Sequence, residues 1–314
     1  MYGSRTNNFL YGRVIAMLLA FFLINNASEI NCQELEPRAL TNLPVKTNFF
    51  VARYAYADGN ILMDPSLPIN NFNGKLHTMV FAYARAVNIF GKSGKIDIGL
   101  PIGRGDWKGI FDGEEFKDHS TGFGDLRLRA SINLTGAPAL KPSDFSDYKQ
   151  KIVSGLSVQL IIPIGNYYPE QMPNLGSNRW ALRAAYGVSF TLTNWILEAY
   201  AGMWLFSDNR EFLVDNTLSQ SPLWVAKCHL TRLLKKNRWL ALDCGYGYGA
   251  ETYIDGVKRD AIISGMKLGL TFALPINAHH SLKFNAVSGI RFRQGSDFDA
   301  VILLYQYRWN HKSN

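Results

Sequence analysis

The sequence predicts an all-β protein, an antiparallel transmembrane β-barrel of about twelve strands with short periplasmic turns and longer extracellular loops. Three observations predict this fold. The chain begins with an export signal, continues with many segments in which apolar and polar residues alternate, and joins these segments by connections of alternating length. Together they predict a protein of the bacterial outer membrane.

The beginning of the chain has the pattern of a secretory signal peptide, which we predict for residues 1–27. Two arginines precede the apolar run Val14–Ile24, and small residues fit for cleavage follow it. An uncleaved anchor helix is the alternative, but this apolar run is too short to span a bilayer. We therefore expect cleavage between Asn26 and Ser28.

The composition of the 314-residue chain excludes several classes of protein. Beyond the signal peptide, no apolar run reaches the roughly 18 residues that a transmembrane helix needs, which excludes a helical membrane protein. The chain has no CxxC, HExxH or His/Cys cluster, so we expect no metal and no cofactor. A net charge of +8 can indicate a nucleic-acid partner. In an exported barrel we interpret it as a basic lumen or basic rims instead, with no nucleic-acid partner.

Alternation between two faces is clearest in residues 122–134. Leu126 and Leu128 fall on one face, while Arg127 and Arg129 fall on the other. A helix would mix these two sets, whereas a strand separates them. The same pattern predicts twelve strands at residues 46–58, 74–89, 94–103, 122–134, 151–163, 178–192, 194–207, 222–234, 238–250, 260–274, 279–293 and 298–309.

The connections favour an even number of strands. If the first strand rises from the periplasm, the short connections fall on the periplasmic side, as barrel turns should, at residues 90–93, 193–194, 235–237 and 275–278. The opposite connections are mostly long and polar, like surface loops. Two depart from this rule, because 135–150 is long yet periplasmic and 294–297 is short yet extracellular. The predicted organisation is a signal peptide (1–27), an N-terminal periplasmic segment (28–45), the barrel (46–309) and a C-terminal tail (310–314).

Several motifs together resemble one family of bacterial outer-membrane proteins. They are Gly122-Phe-Gly-Asp-Leu-Arg-Leu-Arg129, Gly136–Leu140, Pro163–Tyr167, Asn174–Trp180, Trp239–Asp243 and the end of the chain from Gly295 to Trp309. The chain is similar over about residues 45–309 to the family named "Putative MetA-pathway of phenol degradation". The resemblance implies an outer-membrane channel associated with uptake or export of aromatic or other hydrophobic compounds. It supports the fold more strongly than the substrate.

Strand parity assigns a set of side chains to the lumen. Charges on the lipid side would cost roughly 2–4 kcal/mol at the midplane, so a barrel should turn them inward. The predicted lumen and solute pathway consists of Arg53, Asp125, Arg127, Arg129, Arg183, Glu198, Tyr200, Trp204, Lys227, His229, Asp243, Lys267, Lys283, Arg291 and Arg308. Lysines and arginines outnumber the acids in this set. One interpretation is a cationic constriction that attracts anions or carboxylate-bearing aromatics. The other is a narrow barrel closed by ion pairs.

Aromatic residues and cysteines leave further alternatives open. Tyr200 and Trp204 share the inward parity with Phe206, and they form either an apolar slide for a solute or simple filling. The loops 107–111 and 167–172 carry aromatics that either fold inward as lids or pack on one another. Cys228 and Cys244 lie symmetrically about a predicted turn, where they form either a disulfide or two small lipid-facing residues.

Three functions remain after this reading. The first is an outer-membrane channel or transporter for small solutes, aromatic or anionic, that pass through a basic lumen. The second is a barrel with a closed lumen that acts as a structural or surface-interaction protein. The third is a lipid hydrolase at His279 and Ser281, which we do not expect because no GxSxG motif is present. The expected partners are outer-membrane lipid, a small-molecule solute and, during insertion, the barrel-assembly machinery. The sequence does not indicate an oligomeric state.

Overall fold

The computed structural model describes residues 35–60, 69–111, 113–171, 173–259, 262–291 and 297–310. The predicted signal peptide lies outside the described residues. Within these ranges the chain forms one short 3-10 helix (Pro142–Phe145) and the strands β1 (Thr47–Asn60), β2 (Ile69–Ile89), β3 (Lys92–Phe111), β4 (Glu114–Phe123), β5 (Leu126–Thr135), β6 (Ile152–Ile162), β7 (Ala181–Thr191), β8 (Trp195–Phe206), β9 (Asn209–Phe212), β10 (Asn216–Gln220), β11 (Leu223–Leu233), β12 (Trp239–Gly249), β13 (Thr252–Ile254), β14 (Val257–Lys258), β15 (Gly265–Pro275), β16 (His280–Arg291) and β17 (Asp297–Asn310). No helix in these ranges is long and apolar enough to cross a membrane.

Twelve of these strands close into one antiparallel barrel. The large sheet runs in the order β2-β1-β17-β16-β15-β12-β11-β8-β7-β6-β5-β3-β4, and an additional pairing of β2 with β3 joins its ends. β4 pairs only with the outer part of β3, so it extends the wall without adding a strand to the ring. Closure leaves no open edge among the twelve strands of the ring, which is the condition for strands to cross a bilayer. The predicted twelve-strand barrel is therefore confirmed.

Local signals placed the barrel strands correctly. Each of the twelve predicted segments overlaps one barrel strand, and most ends agree within a few residues. The first periplasmic turn shows why the turn prediction worked. Phe90 and Gly91 have φ angles of 50° and 79°, and two positive values suit a tight hairpin turn whose twist matches the strands.

An apolar band covers the outer surface of the barrel. Along β12 the odd-numbered residues are buried and most even-numbered ones are at least partly exposed, in keeping with one inward and one outward face. Large apolar side chains on the outward face remain highly exposed, among them Leu242 at 58% and Leu270 at 50%. A surface of this kind is unfavourable in water and suits lipid. Near the periplasmic end Tyr307 stacks on Trp309 with ring centroids 5.4 Å apart, as expected of an interfacial aromatic girdle.

The long extracellular loop predicted between the strands 94–103 and 122–134 is wrong, because this segment continues the barrel wall. β3 runs on to Phe111 and returns as β4. The glycines of this segment resemble turn residues in the sequence, but at least one of them serves packing instead. A Cβ at Gly105 would lie 1.9 Å from the ring of Trp107, so this glycine leaves the space in which the buried ring packs. Of the two aromatics in the predicted loop 107–111, Trp107 is therefore a buried core residue, whereas Phe111 is 40% exposed.

A small second sheet lies at the extracellular end. β9, β10, β13 and β14 form four strands in the order β14-β13-β10-β9. Phe212, Leu218 and Ile254 of this cap sheet cluster with the buried ring of Trp107 and with inward-facing residues of the wall. Apolar burial therefore holds the cap sheet against the barrel.

Residues 35–46, which we call the plug segment, contact inward-facing residues of the periplasmic half of the barrel. They lie almost wholly within the stretch predicted as a periplasmic segment. Leu40 is buried against Ala137 and Val153, and its side chain occupies the space that a Cβ at Gly155 would need. Asn42 bonds the periplasmic connection, because its Nδ2 donates to the Pro138 carbonyl at 3.1 Å. The plug segment therefore lies inside this end of the lumen.

Candidate functional site in the barrel lumen

The lumen is layered along the barrel axis, and its outer layer is apolar with cations at the rings. Trp204 and Phe206 stack with centroids 6.4 Å apart and ring planes within 9°. Arg183 lies over the Trp204 ring at 5.3 Å and Arg179 over the Phe206 ring at 4.8 Å. Leu223 belongs to the same apolar cluster. Such cation–π pairs are worth about 0.5–2 kcal/mol each, more where water is excluded.

Tyr200 is inward, as predicted, but it does not belong to the layer of stacked rings. Its ring fills the space above Gly187, where a Cβ would lie 2.3 Å from the ring. Its hydroxyl donates to Glu198 Oε1 at 3.1 Å. Of the two interpretations from the sequence, simple filling of the lumen therefore describes Tyr200. Trp204 and Phe206 form the stacked aromatic pair.

An ionic layer joins the plug segment to the wall. Arg129 donates from Nε to Asp97 at 3.0 Å and from Nη1 to Glu36 Oε2 at 2.5 Å. Lys95 Nζ lies 3.8 Å from Glu36 Oε1. Burial of Glu36 opposes ionisation, but the charges of Arg129 and Lys95 outweigh it and hold the pKa of this carboxyl well below its usual value. Glu36 is therefore a carboxylate held by two cations of the wall.

A second contact of the plug segment reaches the other side of the lumen. The backbone N–H of Arg38 donates to the fully buried carboxylate of Glu198. The Arg38 guanidinium lies 5.6 Å from the centroid of the Trp239 ring, and Lys283 Nζ lies at the same distance. Polar and ionic contacts to β3, β5 and β8 thus hold the plug segment across the barrel.

Below the aromatic layer a buried polar network joins four neighbouring strands, β11, β12, β15 and β16. His229 Nδ1 lies 2.7 Å from Asp243 Oδ1, and Thr271 donates to Asp243 Oδ2 at 2.5 Å. Asn285 Nδ2 donates to Thr271 Oγ1 at 2.7 Å. His229 Nε2 has no hydrogen-bond partner among the described residues. The network keeps the Asp243 carboxylate satisfied with no exposure to solvent.

The remaining predicted cations lie at several heights of the wall. Lys267 Nζ lies 4.0 Å from the centroid of the Phe298 ring. Arg53 and Lys227 occupy inward positions of β1 and β11. Arg127 occupies an inward position of β5 and makes no hydrogen bond or ion pair with any residue that the structure describes.

Three predicted lumen residues lie at strand ends. Asp125 is outside the strands, and its carboxylate accepts from the backbone N–H groups of Gly165 and Ser177 at 3.0 and 2.8 Å, so it fixes the extracellular connections. Arg308 is exposed at the periplasmic edge, where its Nε donates to the Ala278 carbonyl of a turn. Arg291 pairs through its backbone with Gly265 at the end of β16, and its side chain lies outside the described part of the structure.

Cys228 and Cys244 face each other directly across β11 and β12. Both are free thiols in the structure, on the outward face of the barrel. Of the two sequence interpretations, their arrangement corresponds to two small residues facing lipid. The predicted loop 167–172 packs on its neighbours, because Tyr167 donates to the carbonyl of Glu211 at 3.1 Å.

Sequence reasoning missed Glu36, Arg38, Lys95 and Asp97. A signal existed for two of them, because Lys95 and Asp97 alternate with the outward-facing Ile96 and Ile98 and share the inward parity of β3. No such signal exists for Glu36 and Arg38, because the plug segment has no strand parity. Only the closed barrel brings it against β5 and β8.

The closed strands, the apolar outer band and the charged interior define a bacterial outer-membrane β-barrel. The model of the family described as "Putative MetA-pathway of phenol degradation" matches residues 67–311, and the chain belongs to this family. A comparison with curated proteins found no match.

Solved structures with this fold include channels. The COG4313 outer membrane channel from Pseudomonas putida F1 superposes with a TM-score of 0.75 at 20% identity, over 88% of this chain and 100% of that one. The transport unit of the autotransporter AIDA-I from Escherichia coli has a TM-score of 0.51 at 8% identity, over 88% and 93% of the two chains. The TodX deltaS2S3 mutant monoaromatic hydrocarbon channel has a TM-score of 0.51 at 9% identity, over 90% and 97%. At these identities the similarity shows the fold.

Proposed function

We propose that the protein is an outer-membrane channel for small aromatic solutes, and that the plug segment closes its periplasmic end. Two proteins of the same fold are named as channels, one of them for monoaromatic hydrocarbons. The observation that carries the proposal lies in this chain. The plug segment, and not the side chains of the wall alone, fills the periplasmic half of the lumen.

Small inward residues of the wall support the proposal that the plug segment can leave the lumen. Gly155 and Gly269 face inward, and a Cβ at either would lie within 2.8 Å of a leucine of the plug segment. If the plug segment leaves, the space that Leu35 and Leu40 occupy beside these glycines opens to the lumen. A barrel that is permanently closed would rather be packed by large inward side chains.

The outer layers suit an aromatic solute. Two apolar clusters lie towards the extracellular end, one beneath the cap sheet and one that includes the stacked rings of Trp204 and Phe206. Flat apolar rings can exchange between such faces with little change in buried apolar area. The cations Arg183 and Lys227 line the cavity below these rings, together with Arg129 and Lys95. They favour solutes with negative charge or an electron-rich face.

A closed barrel that acts through its surface is the second candidate, because the cap sheet covers the extracellular end. A hydrolase has less support. His229 and Asp243 form a buried pair, but the neighbouring hydroxyl of Thr271 bonds Asp243 and not the histidine. His279 Nδ1 lies 3.0 Å from the Arg308 carbonyl at the periplasmic edge. We expect outer-membrane lipid around the apolar band and insertion by the barrel-assembly machinery.

The test is solute flux into liposomes with a lockable plug segment. Leu40→Cys and Val153→Cys place two thiols at a contact between the plug segment and the wall, in a chain whose native cysteines are alanine. A short bis-methanethiosulfonate joins them, and reduction releases them. The probes are phenyl glucoside, benzenesulfonate and glucose, which cross lipid slowly.

We expect phenyl glucoside and benzenesulfonate to enter faster than glucose, with flux lost on cross-linking and restored by reduction. Each single-cysteine variant, treated in the same way, is the matched control and should keep its flux. If heat-modifiable mobility on gels shows that the protein is folded, but no probe enters faster than into empty liposomes, the result would favour the closed surface-interaction barrel.

A further inference from the structure

We propose that Arg129 and Lys95 form a carboxylate subsite for the solute, and that Glu36 of the plug segment occupies this subsite while the channel is closed. The corresponding solute is a small aromatic carboxylate. The inference rests on the proposed channel function and adds the ligand class and the competitor.

The geometry around Glu36 is that of a bound carboxylate. Arg129 Nη1 and Lys95 Nζ approach different oxygens of the carboxylate, at 2.5 and 3.8 Å. Asp97 accepts from Arg129 Nε at 3.0 Å and so fixes the guanidinium with its outer edge towards the lumen. A fixed guanidinium edge beside an ammonium recognises a carboxylate by shape and charge. The wall carries this receptor whether or not Glu36 is present.

The local charges favour an anion at this position. Lys95, Arg129 and Lys283 all act on Glu36 by their charge, and Arg129 also pairs with Asp97 of the wall. Removal of Glu36 takes a negative charge away from these three cations. Loss of this neighbouring negative charge raises the free energy of the vacated site. A solute carboxylate that enters as Glu36 leaves restores the balance, so solute and plug segment compete.

The apolar part of the ligand also has a counterpart in the plug segment. Leu40 lines the same cavity as Glu36 and packs on Val153 and Tyr200 above the surface of Gly155. When the plug segment leaves, its leucine vacates an apolar space beside the two cations. A benzene ring that carries a carboxylate reproduces this combination of an apolar body with an adjacent negative group.

The test measures benzoate binding to the folded full-length protein in detergent micelles by isothermal titration calorimetry. The variant Glu36→Gln removes the competing negative charge but keeps the size of the side chain. We expect benzoate to bind this variant about tenfold more tightly than the unchanged protein, or more. Benzyl alcohol, a neutral molecule of similar shape, should show no such gain. Glu251→Gln, which removes a carboxylate that pairs with Lys258 in the extracellular region, is the matched control and should behave as the unchanged protein.

The subsite itself is tested in the Glu36→Gln background. Lys95→Met and, separately, Arg129→Met should abolish the gain for benzoate, and either variant suffices if the other does not fold. Equal gains for benzoate and benzyl alcohol, or benzoate binding unchanged in Glu36→Gln, would overturn the inference. Because phenyl glucoside carries no carboxylate, its flux through the unlocked channel tests the proposed function separately.

Discussion

Both carboxylate oxygens of Asp243 have partners, because Oδ1 lies 2.7 Å from His229 Nδ1 and Oδ2 accepts from Thr271, and the side chain is completely buried. Burial of an ionised carboxylate is tolerated only when such partners replace water. The inward parity of Asp243 and His229 follows from the alternation of the sequence. Their direct contact does not, because strand register depends on turn geometry as well as on pattern. Symmetry about the turn at Lys236 did place Cys228 opposite Cys244, as the structure has them.

Thr271→Val tests this network at the scale of one residue. The change keeps the shape of the side chain but leaves Asp243 Oδ2 and the Asn285 amide without the hydroxyl that joins them. We expect the free energy of unfolding to fall by about 1–3 kcal/mol, measured by urea titration in micelles. Ser288→Ala, which removes an exposed hydroxyl of β16, should change it by much less. Equal effects of the two changes would contradict the role given to the network.

At the scale of elements, the sequence pattern predicts strands that cross the membrane better than structure outside it. Along the barrel, one face meets lipid, so apolar residues recur strictly at every second position. β4 and the outer part of β3 lose this requirement, because water replaces lipid on their outer face. The sequence there contains Gly103, Gly105 and Gly109, and it therefore resembles the sequence of a loop. The buried ring of Trp107 supplies the packing that defines this hairpin.

Trp107→Ala tests whether this ring holds the outer hairpin of β3 and β4. Loss of a buried tryptophan costs about 3–5 kcal/mol, and the Trp107 Nε1 bond to Ser120 at 3.0 Å is lost with it. We expect trypsin added to intact cells to cut at Lys108 or Lys117, while the barrel stays folded. Phe111→Ala, at a ring that is 40% exposed in the same hairpin, is the control and should remain resistant. Resistance of the Trp107 variant would show that other contacts hold the hairpin.

At the scale of the whole molecule, the same exposed fraction has different meanings at different heights. Leu242 in β12 and Val257 in β14 are both 58% exposed. Leu242 lies in the apolar band of the barrel, whereas Val257 lies in the cap sheet outside it. Burial alone therefore cannot tell the two apart. Their difference comes from the solvent that surrounds each part of the molecule.

Leu242→Arg and Val257→Arg separate these two environments. An arginine in the lipid-facing band costs about 2–4 kcal/mol near the midplane, whereas one in the cap sheet meets water. We expect Leu242→Arg to lower the amount of folded barrel in outer-membrane fractions several-fold, and Val257→Arg to leave it unchanged. Heat-modifiable mobility on gels measures both. Similar losses in the two variants would place the cap sheet in lipid as well.

The plug segment has a consequence for the order of assembly. Residues 35–46 precede β1 in the chain, yet their partners lie in β3, β5, β6, β8 and β12. That receiving surface exists only after the last strand has sealed against the first. The segment is therefore made before the strands that receive it and docks after them. Between these two events the barrel is sealed towards lipid but open along its axis. Each newly inserted molecule therefore leaks until its plug segment has docked.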